Sequence, residues 1–149
     1  MVLELEYDRS LLGKEHVAGP FGVSAELIRE FCNATGETNP IYVDVEAAVQ
    51  AGYEDVLAPP TMCTLFIRGV VIPDIDLKFG TMRFHAGQMV EPLGPIQAGD
   101  SLMACSYLKD VYPKTGRSGS MVFIVWETTF TNQRGEKVAA VQESYAARE

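Results

Sequence analysis

Histidine is the side chain that most readily exchanges protons near neutral pH, and this sequence has two, His16 and His85. His85 stands in R-F-H-A-G-Q, within a stretch that reads as a strand. It could serve there as a base facing a ligand, or fill a half-buried position and bond a backbone carbonyl. His16 precedes the first helical pattern and reads as a surface loop residue. A carboxylate and a phenol, Glu37 and Tyr42, lie in G-E-T-N-P-I-Y-V-D. A desolvated Glu37 could act as a base and Tyr42 could donate to an oxyanion; otherwise they are turn and interface residues. Neither histidine belongs to a Ser/His/Asp pattern. Cys32, Cys63 and Cys105 are odd in number, with no C-x-x-C and no histidine at ligand spacing, so buried reduced thiols are expected and no disulfide framework or zinc site.

The elements that must position these residues follow from hydrophobic period, helical in the first half and strand-like in the second. In V-S-A-E-L-I-R-E-F-C-N-A-T-G, Leu27, Ile28, Phe31 and Cys32 share one face, Ser24 suits the N-cap and Gly36 the C-terminal stop. A second helix is expected from Asp44, whose carboxylate can accept from free N–H groups, to Gly52. Asn39, Pro40 and Asp44 form and cap the turn between them. The run L-A-P-P-T-M-C-T-L-F-I-R-G-V-V-I opens on a proline pair and is apolar on nearly every side, which predicts a buried helix. Beyond Pro73, four β-rich stretches are separated by turns at Gly116 to Gly119 and at Asn132 to Glu136. The stretch from Met121 to Phe130 is apolar on both faces over six residues and is expected at the centre of the sheet. The expected class is α+β, an antiparallel sheet wrapped around a long central helix, with an edge strand that dimerisation would cover.

Bulk composition limits the function. The 149 residues carry 12 Lys+Arg against 20 Asp+Glu, a net charge of −8, with no basic run, which argues against a nucleic-acid binder. Apolar residues make up 47% and charged residues 21%, a globular composition, and a single domain over residues 1–149 is expected. The N-terminus has no basic flank leading into an apolar stretch, and no apolar run approaches ~18 residues, so a cytoplasmic protein is expected.

Four stretches in fixed order resemble the MaoC-type hydratase and dehydratase families, which have the hot-dog fold. They are A-T-G-E-T-N-P-I-Y-V-D, A-G-Y-E-D-V-L-A-P-P-T-M, P-I-Q-A-G-D-S-L and T-T-F-T-N-Q-R-G-E-K-V-A. The resemblance implies dimerisation into one continuous sheet and, as ligands, acyl thioesters of coenzyme A or acyl carrier protein at the dimer interface. The implied reaction is reversible addition of water to a 2-enoyl thioester, giving an (R)-3-hydroxyacyl thioester. No metal or redox cofactor is implied.

Active members carry an aspartate and a histidine in a motif resembling G-D-x-N-P-x-H-x-D. Here Gly36, Asn39, Pro40 and Asp44 match, but Glu37 stands at the aspartate position and Tyr42 at the histidine position. Glutamate shifts the carboxylate by roughly 1.5 Å, and a phenol of pKa near ~10 is a poor base at neutral pH. A glycine N–H at the start of the central helix corresponds to Pro60 in A-P-P-T-M, and proline has no N–H to offer. Thr61 and Met62 remain as donors to a thioester oxygen, with Asn39 beside Glu37; an N-cap role explains Thr61 equally well.

These departures make the sequence resemble the non-catalytic half of fused or two-subunit dehydratases, which shapes the acyl tunnel while a partner supplies the Asp/His pair. Three alternatives stay open: a self-sufficient homodimeric hydratase using Glu37 with Tyr42 or His85, a hot-dog thioesterase, and a non-enzymatic acyl-thioester-binding protein. Arg68, Lys78 and Arg83 could meet coenzyme A phosphates or be solvated surface. Met62, Phe66, Met82, Met89, Trp126 and Phe130 could line a tunnel, though most are expected to pack in the core.

Overall fold

The computed structural model describes residues 3–149. Strand β1 spans His16–Gly22, followed by α1 at Ala25–Thr35, α2 at Pro40–Val43 and α3 at Val45–Gln50. A 3-10 turn at Pro60–Met62 runs into α4 at Cys63–Ile67. Strands β2 (Met82–Pro92), β3 (Ser101–Gly116), β4 (Gly119–Thr131) and β5 (Lys137–Arg148) complete an antiparallel sheet of order β1-β3-β4-β5-β2. This is the expected antiparallel sheet, with β4 at its centre and β1 and β2 at its edges.

The helix ends are set by the residues that the sequence offered for them. Ser24 Oγ accepts from Leu27 N at 3.0 Å, and Gly36 closes α1 at φ 73°. Asn39 Oδ1 accepts from Ile41 N at 3.3 Å and opens α2, with Pro40 in its first turn. Asp44 Oδ1 accepts from Glu46 N at 3.0 Å and opens α3.

Two local features differ from the sequence expectations. His16 lies in a strand, not a surface loop: His16 pairs with Ser106 and Val17 with Cys105, and the register shifts between Ala18 and Phe21 to accommodate Gly19-Pro20. Proline and glycine inside a strand hide its signal, and an edge position with a bulge is where a sheet tolerates them. The buried helix is also short, leaving its helical path at Arg68 rather than running through the apolar Val70, Val71 and Ile72. Gly69 marks the exit, where a Cβ would lie 2.7 Å from the Phe21 ring. Phe21 in turn stacks on Phe66 at 5.4 Å, so the chain can pass only where residue 69 has no side chain.

Alternation along the inner strands sends Val122, Ile124, Trp126, Thr128 and Phe130 of β4 to one face, with Val141, Glu143, Tyr145 and Ala147 of β5 beside them. Two apolar clusters cover this face. One gathers Ile28, Met62, Cys63, Phe66, Leu102 and Phe130 beneath α1 and α4. The other gathers Leu5, Leu11, Ile75, Leu77 and Trp126 beneath the N-terminal segment and the connection before β2. Between the clusters, this face of the sheet and the segment from α4 to Ile72 enclose a gap.

Strand β2 has a register shift between His85 and Gly87. His85 pairs with Tyr145 and Gln88 with Glu143, so the extra residue puts two side chains three positions apart on the same face.

Candidate functional site

The opening between the clusters is a cavity of about 490 Å³. Leu65, Ile67, Val70, Ile72 and Trp126 give it apolar walls; His85, Gln88, Thr128, Glu143 and Tyr145 make a polar floor, and Arg68 also lines it. At the centre of the floor is the Glu143 carboxylate, on a residue only 7% exposed. Its Oε2 meets His85 Nε2 at 2.7 Å and accepts from Tyr145 Oη at 3.3 Å, while Gln88 Nε2 donates to Oε1 at 3.0 Å. Three partners on a buried carboxylate offset what it loses by leaving water. The His85 side chain remains 48% exposed. Burial first, and then the Glu143 charge, push the Tyr145 phenol above its ordinary value, keeping it a neutral donor. Thr128 Oγ1 bonds Ser106 Oγ at 2.6 Å, which extends the polar band across the inner sheet.

Glu37 and Tyr42 lie apart from this floor, at the end of α1 and in α2. The Glu37 carboxylate closes its own turn, Oε1 accepting from Thr38 N at 3.1 Å and Asn39 N at 3.0 Å. Tyr42 packs against the first apolar cluster and lines a separate cavity of about 310 Å³ with Arg29, Cys32 and Val56. Its phenol is pushed up by burial first and by the Glu37 carboxylate second, so it is a donor near neutral pH and not a base. The structure therefore brings Glu37 and Tyr42 near each other and places His85 elsewhere, with Glu143.

In the 3-10 turn that leads into α4, Pro60 is the first residue and there is no side-chain cap bond; Pro59 caps that turn and Met62 caps α4, so Thr61 is the N-cap of neither. Met62 N donates to Pro59 O at 2.9 Å and its side chain is buried, so Met62 is not a free donor. Asn39 serves as the α2 cap described above. Arg83 donates to Phe79 O at 2.8 Å and Leu77 O at 3.1 Å, tying down the connection before β2. Met62, Phe66, Trp126 and Phe130 pack in the core, but Met82 and Met89 do not, at 53% and 56% exposed on edge strand β2.

Glu143 and Gln88 did not stand out in the sequence. A signal for Glu143 existed: a lone charge in the alternation Val141, Glu143, Tyr145, Ala147, at positions of inward parity. Gln88 had no such signal, because its parity relative to His85 depends on the bulge.

Comparison with known proteins adds family and fold. The model of the FAS1-like, dehydratase domain region matches residues 10–141. A UPF0336 protein of Saccharopolyspora erythraea is 33% identical over 146 residues, covering 95% of this chain and 91% of its own. A C-terminally truncated HadBC (3R-hydroxyacyl-ACP dehydratase) complex from Mycobacterium tuberculosis superposes with a TM-score of 0.77 at 24% identity, covering 94% of this chain and 99% of the matched one. The ChsH1-ChsH2 complex from the same organism superposes at 0.70 and 22% identity, with 89% of each chain covered. The fold is thus that of the hot-dog, MaoC-like dehydratases. Among the described residues, no helix is long and apolar enough to cross a membrane.

Proposed function

The chain belongs to the FAS1-like dehydratase domain family, and from that premise we propose that it is the acyl-binding subunit of an (R)-3-hydroxyacyl-thioester dehydratase or enoyl-thioester hydratase. In this reading it is a single hot-dog unit over residues 1–149. It forms one wall of the acyl tunnel, and a partner MaoC-type subunit supplies the Asp/His pair. The observation that carries the reading is the exchange of one feature for another. The residues at the family's catalytic positions serve local structure, with Glu37 in its turn and Pro60 without an N–H, while a cavity of about 490 Å³ lies on the inner sheet. A site with no placed base at the motif, and with Pro60 where the glycine N–H would be, holds substrate better than it turns it over. The two heteromeric complexes among its structural neighbours support a partner subunit. Edge strand β2, with Met82 and Met89 exposed, supports a surface for it.

The test is a hydration assay with crotonyl-CoA and a long-chain enoyl-CoA, following loss of enoyl-thioester absorbance. The chain is assayed alone and then with an Asp/His-bearing MaoC-type subunit from the same source. The expected result is no turnover alone and activity above the partner's own on mixing. Turnover by the chain alone would overturn the accessory role.

A further inference from the structure

The polar floor restricts what the cavity can hold. Taking the acyl-binding reading as its basis, the geometry points to an oxygenated acyl chain as the occupant, one that carries a hydroxyl or carbonyl beyond the reacting carbons. A saturated chain matches Leu65, Ile67, Val70, Ile72 and Trp126, and a cavity dedicated to it would have an apolar floor as well. Here the floor holds Glu143 at an inward position of β5, between Val141 and the phenol of Tyr145. The bulge in β2 turns both His85 and Gln88 toward that carboxylate. Glu143 is buried and already accepts from three side chains, so its main task is to anchor the group.

Its neighbours are not saturated. His85 Nε2 is engaged by Glu143, which leaves Nδ1 as the other polar atom of a half-exposed ring lining the cavity. Gln88 gives its amide nitrogen to Glu143 and retains a carbonyl oxygen as an acceptor. Methylenes laid over these atoms remove their water and return nothing, whereas a chain oxygen replaces that water with a hydrogen bond. A cationic occupant is disfavoured, because Arg68 lines the same space and the carboxylate already has its partners. The discrimination comes from groups left unpaired by the wrong ligand, the case in which a site rejects an analogue most strongly.

Trp126 is the single tryptophan of the chain and lines the cavity, so its emission reports occupancy. The intact protein is titrated with decanoyl-CoA, (R)-3-hydroxydecanoyl-CoA, 6-hydroxydecanoyl-CoA and 10-hydroxydecanoyl-CoA. We expect a chain-hydroxylated thioester to bind at least about tenfold tighter than decanoyl-CoA. The preference should fall to within about twofold in His85→Phe, with Gln88→Leu on the exposed edge strand as a second variant. The wild-type ratio alone decides the matter if either variant fails to fold. Equal or tighter binding of decanoyl-CoA overturns the inference and leaves the acyl-binding reading in place. Preference for the 3-hydroxy compound only also overturns it, since the floor would then recognise the reacting hydroxyl. No response to any of the four removes the acyl-binding reading and this inference with it.

Discussion

The Glu37 carboxylate holds its turn through two backbone N–H groups, a task that an amide oxygen can also perform. Glu37→Gln is therefore expected to leave partner-assisted hydration within about twofold and to lower stability by no more than about 1 kcal/mol. Loss of turnover in a folded Glu37→Gln protein would return the chemistry to the motif. Cys63, with no exposed surface, makes a prediction in pH. Burial pushes its thiol from 9.0 up to about 12, so the folded chain holds the proton where the unfolded chain releases it. The stability it contributes is complete below pH 9 and is lost as the pH rises from 9 toward about 12. The slope between these limits is about 1.4 kcal/mol per pH unit. Urea midpoints measured at pH 8 and pH 10 should fall more in the wild type than in Cys63→Ala. At this scale the capping residues Ser24, Asn39 and Asp44 were legible in the sequence, because a cap acts within two or three residues of itself. The His85–Glu143 pair was not, because its members lie on different strands and meet only once β2 and β5 are in register.

Among the elements, α1 was readable from end to end, since its apolar stripe and both its terminal signals are local. Ser24→Ala removes the bond to Leu27 N and is expected to cost about 1 kcal/mol, visible as a lower thermal midpoint. The length of α4 was not readable. The apolar run continues to Ile72, but the exit at Gly69 is imposed by Phe21 on a strand distant in sequence. Gly69→Ala is expected to cost about 1 to 3 kcal/mol by driving a methyl into the Phe21 ring, which is stacked on Phe66. A denaturation midpoint equal to that of wild type would show that the ring yields. Strand β1 stayed hidden because Gly19-Pro20 interrupts its alternation, and its pairing with β3 resumes only at Phe21.

On the scale of the whole molecule, hydrophobic period anticipated an antiparallel sheet with β4 at its centre and the four motifs its fold family, while the strand ahead of α1 and the cavity on the inner face followed from packing that no motif records. Edge strand β2 carries the exposed Met89 at the surface proposed for a partner. Met89→Lys is expected to weaken association with a MaoC-type subunit at least tenfold, measured by sedimentation of mixed chains, with the monomer's circular dichroism unchanged. Unaltered association would place the partner on another edge. The bulge in β2 has a consequence for changes of chain length. Its excess residue is slack in the strand, so a protein shortened by Ala86 keeps His85 opposite Tyr145 and Gln88 opposite Glu143, and loses only the local bend. A protein shortened instead at Met89, beyond the bulge, must turn Gln88 outward or slide the slack along the strand. Deletions in this strand are thus tolerated at one point and invert the lining of the cavity at the next.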